Sequence, residues 1–260
     1  MNTIVKVGST SLYNGGPRLE VFDSIADQVS ELMNQGNSVG IVSSGAIAFG
    51  KGDLNIPSDK SLELSQEQVM AGIGQPLLMD QWSKAFGLRS VKATQVLVTN
   101  EVLLGRVPEQ RGTLADTLKT TESIGHIVPI INENDAIATE EIVQGDNDRL
   151  SAHVANLVGA RVLYLLGTSE AIYECPKTKA GRIESADLGD FASLQLISED
   201  TADPQGTGGM LTKLEAAKIF LEADNDRNDK FVFVAGAAIP EVLHNASLGA
   251  VGTRLTASAA

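Results

Sequence analysis

Four polar segments of the sequence combine residue types that can bind phosphate or a small charged substrate. In the first, Lys6 lies within an apolar run and is followed by Gly8, Ser9 and further hydroxyl residues. A lysine buried in a strand requires an anion, and a glycine before hydroxyl groups offers donors to phosphate oxygens. An edge-strand lysine in solvent would give the same pattern, so this segment alone leaves both interpretations open.

The second segment is a glycine-rich loop that opens a predicted helix. Residues 206–213 read Gly-Thr-Gly-Gly-Met-Leu-Thr-Lys, which places Lys213 in the first helical turn. Such a loop can surround phosphates, and the lysine can place a positive charge on a transferred group. The spacing matches neither the P-loop pattern nor the dinucleotide-binding glycine pattern.

The other two segments are rich in small, amide and carboxylate side chains. Ser44 and Gly45 follow the apolar run 38–42, where an ordinary strand-to-helix turn is the simpler explanation and an anion site the alternative. Residues 132–135 (Asn-Glu-Asn-Asp) end another apolar run, and residues 145–149 (Gly-Asp-Asn-Asp-Arg) open a predicted helix. Amides and carboxylates at this density can recognise an ammonium group and orient cationic side chains or a metal. Two such clusters favour a ligand site.

Histidine and cysteine contribute little to the predicted chemistry. His126, His153 and His244 are scattered and form neither a catalytic triad pattern nor a metal-ligand pattern, so we interpret them as structural or surface residues. Cys175 is the single cysteine, which excludes an intramolecular disulfide and a multi-cysteine zinc site. A reducing, cytoplasmic environment fits this composition.

The elements that must position these segments are read from hydrophobic periodicity. Short apolar runs alternate with helical patterns, and they occur at residues 3–7, 38–42, 91–98, 127–131, 161–166 and 231–235. This alternation predicts a mostly parallel sheet in a three-layer α/β/α sandwich, with ligand-binding residues at the carboxyl ends of the strands. Helices are predicted over residues 19–33 and 147–158.

Local signals predict two further helix starts and the domain limits. Ser65 with Gln68, and Thr212 with Glu215, have the spacing of capping boxes. Because the chain has no Pro/Gly/Ser-rich linker, we expect one domain over residues 1–255 and a frayed tail over residues 256–260.

Composition argues against two classes of partner. The 260 residues contain 20 Lys plus Arg against 33 Asp plus Glu, a net charge of −13, whereas nucleic-acid binding requires a basic face. The apolar runs are also much shorter than a bilayer span. We therefore expect neither a nucleic-acid partner nor a membrane.

Five segments, taken in order, resemble the glutamate 5-kinases of the amino-acid kinase family. They are VKVGSTSL (5–12), VSSGAIAFG (42–50), INENDAIA (131–138), GDNDRLSA (145–152) and GTGGMLTKLEAA (206–217). The resemblance implies the amino-acid kinase fold and ATP-dependent phosphorylation of the L-glutamate side-chain carboxylate to L-glutamyl 5-phosphate, the first step of proline biosynthesis. It also implies Mg²⁺ carried by ATP rather than by protein ligands, a homo-oligomer (dimer or tetramer), and proline as a candidate feedback inhibitor.

The same resemblance assigns roles to individual residues. Lys6 and Lys213 correspond to the catalytic, phosphate-binding lysines, and Asp146 to the carboxylate that orients them. The residues implied for glutamate are Ser44, Gly45, Asn134, Asp135 and Asn147. The residues implied for ATP are Lys6, Gly8, Ser9, Thr168, Thr207, Gly208, Gly209, Met210 and Lys213.

The sequence departs from the family pattern in four places. The usual Thr-Asp pair and Gly-Leu-Tyr turn are replaced by Gly167 to Tyr173, which predicts weaker or less base-selective ATP binding that a Thr-Asp pair at 167 and 168 should restore. The arginine-rich stretch is replaced by residues 105–111, the loop 223–230 is longer, and no PUA domain is expected after the kinase domain.

The chemistry is compatible with this function but leaves alternatives. A glutamate side chain has a pKa of about 4.3, so the nucleophile is already ionised near neutral pH and no general base is needed. One alternative is another amino-acid kinase with a different small acceptor. The other is a catalytically weak, ligand-binding regulator derived from such a kinase.

Overall fold

The computed structural model describes residues 1–138, 147–199, 209–223 and 229–257. The strands are β1 (Thr3–Val7), β2 (Val39–Ser43), β3 (Lys92–Val98), β4 (Ile127–Glu133), β5 (Val162–Gly167), β6 (Tyr173–Cys175), β7 (Ala180–Arg182), β8 (Ser185–Asp187), β9 (Phe231–Gly236) and β10 (Thr253–Thr256). The helices are α1 (Ser9–Leu12), α2 (Leu19–Asn34), α3 (Ala46–Asp53), α4 (Leu64–Gly87), α5 (Asn100–Leu103), α6 (Pro108–Ile124), α7 (Asn147–Leu157), α8 (Phe191–Glu199), α9 (Met210–Leu221) and α10 (Val242–Ser247).

The central sheet is mostly parallel, as the sequence predicts. Its eight described strands run in the order β3-β4-β2-β1-β5-β9-β10-β8. β10 pairs antiparallel with β9 and parallel with β8, and the other pairs in this sheet are parallel. β6 and β7 form a separate antiparallel pair. The six apolar runs all form strands, which confirms the period-based prediction.

Two apolar clusters cover the two faces of the sheet. Side chains of α2, α3, α4 and α10 pack on one face, and those of α5, α6, α7 and α9 pack on the other. Within β1, Val5 and Val7 belong to the first cluster and Ile4 to the second. Because strand side chains alternate between faces, Lys6 points with Ile4 toward α7 and α9.

Lys6 is a central-strand residue, which decides between the two interpretations left open above. β1 lies between β2 and β5, and Lys6 pairs in register with Val42 and Leu165. Only 4% of the residue is exposed. The interpretation as a solvent-exposed edge lysine is therefore wrong.

Two glycines bring α3 and α4 into backbone contact. A Cβ on Gly50 would lie 2.0 Å from the Met70 carbonyl oxygen, and a Cβ on Gly74 would lie 1.8 Å from the Ala46 carbonyl oxygen. A side chain at either position would separate the helices. The close approach fixes the middle of α4 against the turn that follows β2.

Three local predictions need correction. α4 begins at Leu64, and the Gln66 side chain accepts a hydrogen bond from the Glu63 N–H (3.1 Å), so Ser65 and Gln68 do not form the capping box. α9 begins at Met210 after Gly209, so Thr212 and Glu215 do not cap it. The predicted frayed tail is wrong at Thr256, the last residue of β10, because pairing with β8 continues to this position.

The predicted helices over residues 19–33 and 147–158 are confirmed by α2 and α7 to within one residue at each end. Among the described residues, no helix is both long enough and apolar enough to cross a membrane.

Candidate active site

The candidate site lies where the carboxyl ends of four strands meet the first turn of α7. β1, β2, β4 and β5 all contact α7, and α7 in turn contacts α9. This is the edge at which open α/β sheets bind ligands, because the backbone groups at strand ends and helix starts are not used by the sheet or helix. The site has two parts, which we name the lysine cluster and the acceptor pocket.

The lysine cluster consists of Lys6 from β1, Asp148 from α7 and Lys213 from α9. The Lys6 Nζ lies 2.5 Å from Asp148 Oδ1, and the Lys213 Nζ lies 2.9 Å from Asp148 Oδ2. Asp148 is fully buried and each lysine is 4% exposed. Two ammonium groups therefore share one carboxylate, and the cluster contains one more positive than negative charge.

The ionised form of Asp148 is strongly favoured. Burial alone would raise the pKa of Asp148, but the charges and hydrogen bonds of Lys6 and Lys213 outweigh it and hold the pKa far below its usual range. The Thr212 hydroxyl lies 2.9 Å from Asp148 Oδ2, and the Ser151 hydroxyl donates to the Asp148 carbonyl oxygen (2.6 Å). Asp148 is therefore a fixed negative charge that aligns the two lysines.

Two glycines keep the strand-end side of the lysine cluster open. A Cβ on Gly8 would lie 3.7 Å from the Lys6 Nζ, and a Cβ on Gly167 would lie 3.1 Å from the Lys213 Cε. Larger residues would occupy the space beside the ammonium groups. The expected gain in ATP binding from a Thr-Asp pair at 167 and 168 stays a prediction, and a side chain at 167 would require Lys213 to move by a few tenths of an ångström.

The acceptor pocket is built from neutral side chains of α7, β4 and the turn after β2. The Asn147 Nδ2 donates to the Ser44 Oγ (2.8 Å) and to the Asn132 Oδ1 (2.9 Å). The Asn132 Oδ1 also accepts the Glu133 backbone N–H (2.9 Å), and the Asn132 Nδ2 donates to the Gln75 Oε1 (2.9 Å). The acceptor pocket consists of Ser44, Asn132 and Asn147, and Asp135, which follows Asn132 by three residues just beyond the end of β4, marks its edge.

One atom of this pocket is a buried acceptor ready for a ligand. Asn147 is 8% exposed, and its Oδ1 has no hydrogen-bond partner within the described part of the chain. Buried polar atoms are rarely left without a partner unless a ligand or water satisfies them. Since the Ser44 Oγ accepts from Asn147, the Ser44 hydroxyl retains its own proton for donation.

Two carboxyl groups at the edge of the pocket have raised pKa values. Burial, and then the charge of Glu67, raises the pKa of the half-buried Asp135 to about 6. Burial, and then the charges of Asp135 and Glu101, raises the pKa of Glu133 to about 7, against a lowering contribution from the Asn100 hydrogen bond. Both groups change charge in the range where enzymes are usually assayed.

The segment that departs from the resemblance forms one wall of a mainly apolar cavity. Residues 169–173 line it together with Pro176, Ile197 and Met210, the first residue of α9. Thr168 is exposed at the end of β5. The Lys179 ammonium and the Glu170 carboxylate form an exposed ion pair (3.1 Å) among the lining residues.

The structure brings together most of the residues singled out from sequence, but some lie outside the described residues. Asp146, Thr207 and Gly208 belong to this second group. Gly45 has a φ of +119° and precedes α3, and a Cβ there would lie 3.9 Å from the Ser9 Oγ, so the β1 and β2 turns adjoin. The Asn134 backbone N–H donates to the Val98 carbonyl (2.7 Å) at the end of the β3–β4 pair, and the contact of Asn134 with glutamate stays a prediction.

Sequence reasoning missed Gln75, and it placed Asn132 and Asp148 within the two polar clusters without giving either residue a role of its own. Asp148 makes the contacts with both lysines that the resemblance gave to Asp146, which lies outside the described residues. Helical periodicity could have identified Asp148 as buried, because it shares a face of α7 with the small, buried Ser151, Ala152 and Ala155. No local signal identifies Gln75, which lies 57 positions from its partner Asn132.

Comparison with known proteins places these findings in a family. The model of the amino acid kinase family matches residues 1–229. The chain is 37% identical over 248 residues to the glutamate 5-kinase of Streptomyces coelicolor, covering 94% of this chain and 61% of that protein. It is 42% identical over 219 residues to the glutamate 5-kinase of Meiothermus ruber, covering 83% of this chain and 56% of that protein.

A solved structure shows the same fold at low sequence identity. Carbamate kinase from Giardia lamblia bound to AMP-PNP superimposes with a TM-score of 0.63 and 14% identity, over 99% of this chain and 98% of that one.

The chain spans 57% of the length of the glutamate 5-kinase of Bifidobacterium longum strain NCC 2705, to which it is 40% identical over 220 residues. Because the family model matches residues 1–229 of the 260, the chain belongs to the amino acid kinase family.

Proposed function

We propose that this chain transfers the γ-phosphoryl group of ATP to the side-chain carboxylate of L-glutamate. The observation that carries the proposal is the position of Asn147 and Asp148, consecutive residues in the first turn of α7. Asn147 belongs to the acceptor pocket and Asp148 to the lysine cluster. A small acceptor and a phosphoryl group bound in these two places would meet at one helix terminus.

The acceptor pocket suits the two ends of an amino acid. The Asn147 Oδ1 and an ionised Asp135 can accept hydrogen bonds from an α-ammonium group, and the Ser44 hydroxyl can donate to a carboxylate. The start of α7 adds backbone N–H groups that favour a negative charge. The curated relatives named glutamate 5-kinase support glutamate as the amino acid.

The lysine cluster supplies the electrostatic part of the reaction. The glutamate carboxylate is ionised near neutral pH and attacks directly, so no residue has to remove a proton. Lys6 and Lys213 stabilise negative charge on the phosphoryl group as it is transferred, and Asp148 keeps both ammonium groups in place before substrate arrives. The products are an acyl phosphate, L-glutamyl 5-phosphate, and ADP.

The site residues fit a nucleotide whose phosphates lie next to the two lysines. Gly8 and Gly167 leave the backbone beside both ammonium groups open, and the cavity at residues 169–173 has the apolar walls typical of a nucleobase site. Base contacts from this cavity would partly replace those of the missing Thr-Asp pair. The structural neighbour, which was solved bound to AMP-PNP, supports a nucleotide in this place.

Mg²⁺ fits this arrangement as an ion bound mainly by phosphate oxygens. Both Asp148 oxygens contact lysines, and the described residues contain no group of three His, Cys, Asp or Glu side chains that could hold a metal. Mg²⁺ in kinase sites commonly keeps waters and phosphate oxygens as its main ligands. When bound, it reduces the negative charge of the phosphates.

The proposal is tested by a hydroxamate assay with ATP, Mg²⁺ and a panel of acceptors. L-glutamate should give hydroxamate and an equal amount of ADP, and L-aspartate, N-acetylglutamate and carbamate should react much more slowly. Preference for another acceptor on the panel would support a different amino-acid kinase activity. Calorimetric binding of ATP and glutamate without turnover would instead support a regulator.

A further inference from the structure

Gln75, in the middle of α4, is a buried glutamine that the proposed reaction does not use directly. It is 8% exposed, and its Oε1 accepts a hydrogen bond from the Asn132 Nδ2 (2.9 Å). Its Nε2 has no hydrogen-bond partner within the described part of the chain. A glutamine kept for structural reasons alone would be expected to satisfy both ends of its amide, because an unpaired buried donor costs stability.

Gln28, on α2, shows what such a structural glutamine looks like. It is 9% exposed, its Nε2 donates to the Ser24 carbonyl (3.0 Å), and its Oε1 accepts the Leu243 N–H (2.7 Å). Both ends of the Gln28 amide are used. Gln75 differs because, among the described residues, its acceptor end has a partner and its Nε2 has none, and the acceptor end contacts a residue of the acceptor pocket.

The hydrogen bonds around Asn132 have a fixed direction. The Glu133 backbone N–H is a donor in every state, so the Asn132 group that faces it must be the oxygen, Oδ1. The Asn147 group that meets the same oxygen must then be the NH₂, which turns the Asn147 Oδ1 toward the ligand. On the other side, the Asn132 NH₂ needs an acceptor, which is the Gln75 Oε1.

We propose that Gln75 is a positioning residue for the acceptor substrate, acting through Asn132 to hold the Asn147 Oδ1 as the acceptor for the substrate ammonium group. This inference rests on the proposed function for the identity of the substrate. The directions of the hydrogen bonds among Gln75, Asn132 and Asn147 do not depend on that function. Without an acceptor at position 75, the Glu133 N–H still favours the same Asn132 orientation, but the buried Asn132 NH₂ loses its acceptor, so Asn132 and with it Asn147 are held less firmly. Gly74, the residue before Gln75, is held by the close packing of α3 on α4. This packing fixes the distance between Gln75 and Asn132.

The kinetic test compares three variants. Gln75→Leu removes the acceptor, and Gln75→Glu keeps an acceptor oxygen in either protonation state. Gln28→Leu removes a buried amide whose partners, Ser24 and Leu243, do not belong to the acceptor pocket. Loss of one such hydrogen bond corresponds to about a 2- to 13-fold change in binding. We expect Gln75→Leu to raise KM for glutamate by about tenfold with KM for ATP unchanged, and Gln75→Glu and Gln28→Leu to leave KM for glutamate near wild type.

A second readout needs neither substrate nor activity. The side-chain NH₂ protons of Asn132 and Asn147 should be protected from exchange in ¹⁵N spectra of the ligand-free protein. We expect Gln75→Leu to remove this protection and both Gln75→Glu and Gln28→Leu to keep it. If wild type fails to use glutamate but shows this pattern, the proposed substrate is wrong and the positioning role stands.

Three outcomes would overturn the positioning role. In the first, Gln75→Leu leaves KM for glutamate and amide protection unchanged. In the second, it raises KM for both substrates in parallel with a loss of thermal stability like that of Gln28→Leu, as a general structural role requires. In the third, Gln75→Glu raises KM for glutamate as much as Gln75→Leu does, which would show that the Gln75 Nε2 contacts the substrate directly.

Discussion

The lysine cluster and the acceptor pocket adjoin at the first turn of α7, yet they prepare for their ligands in different ways. In the lysine cluster, each Asp148 oxygen already contacts an ammonium group, so the charges are oriented within the protein. In the acceptor pocket, neutral amides are linked by hydrogen bonds that leave the Asn147 Oδ1 without a partner in the described part of the chain. Rigid charge suits a transition state, whereas an unpaired acceptor suits a ground-state ligand.

The comparison predicts that substitutions in the lysine cluster change kcat or stability, while those in the acceptor pocket change KM for the acceptor. A substitution that changes the wrong parameter would break the distinction between the two parts.

The largest effect is expected for Asp148→Asn, measured as the free energy of unfolding. Removing the shared carboxylate leaves two buried lysines next to each other, and breaking a buried ion pair on one side costs about 3 to 5 kcal/mol. Asp148 contributes its full stabilisation to the free energy of unfolding at pH values above the pKa of an aspartate in the unfolded chain. This stabilisation is lost as pH falls through the lowered pKa of Asp148 in the folded state. Denaturant titration at pH 7 measures the difference.

The exposed Arg149 and Glu215 pair provides the control for this substitution. Glu215→Gln should change the unfolding free energy by less than about 1 kcal/mol, because exposed ion pairs contribute little. Equal losses for Asp148→Asn and Glu215→Gln would show that the lysine cluster is not a buried, coupled unit.

The second effect is expected for Lys213→Met, measured as kcat. Removing one charged donor from a reacting group typically lowers kcat by about 10² to 10³. KM for glutamate should change little, because Lys213 does not belong to the acceptor pocket. Lys218→Met, on an exposed position of the same helix, should keep kcat within about twofold. A normal kcat for Lys213→Met would remove Lys213 from the mechanism.

The third effect is a pH dependence that belongs to the acceptor pocket alone. Asp135 has a pKa raised to about 6, and it must be ionised to bind an ammonium group. As pH falls below this pKa, KM for glutamate should rise by about tenfold per unit, with KM for ATP nearly constant. Steady-state kinetics between pH 5 and 8 measure this rise in KM, because the range spans the Asp135 pKa of about 6.

Asp135→Asn provides the test of that assignment. Its KM for glutamate should be high and almost independent of pH, because the substituted amide does not titrate in this range. If the pH profile of Asp135→Asn matches that of wild type, another group controls binding, and Glu133, with its pKa raised to about 7, is the next residue to test.

The smallest effect is expected for Gly167→Ala, which adds one methyl group next to the lysine cluster. The new Cβ would lie 3.1 Å from the Lys213 Cε, so Lys213 must shift, and kcat should fall by about fivefold. Gly72→Ala in α4 meets nothing within 4 Å and should leave kcat unchanged while adding about 0.5 to 1 kcal/mol of stability. An unchanged kcat for Gly167→Ala would show that Lys213 tolerates displacement.

The sequence predicts the sheet well because a buried parallel strand needs a run of apolar residues, and each run here becomes a strand. It also singles out Lys6, because a charged residue within such a run requires an explanation, but the pattern alone does not decide between a buried and an exposed lysine. It does not predict Gln75 or the direction of the Asn132 amide, because both depend on contacts between distant segments. The choice between Asp146 and Asp148 depends on where α7 starts, and helix boundaries are poorly determined by local signals.

The central claim is that a substrate carboxylate attacks the phosphoryl group, and isotope transfer tests it most directly. L-glutamate labelled with ¹⁸O in the side-chain carboxylate is incubated with ATP, Mg²⁺ and hydroxylamine, and the released phosphate is examined by mass spectrometry. Hydroxylamine attacks the acyl carbon, so the bridging oxygen leaves with phosphate. We expect one ¹⁸O atom in each phosphate formed with hydroxamate, and phosphate without ¹⁸O would contradict attack by the substrate carboxylate.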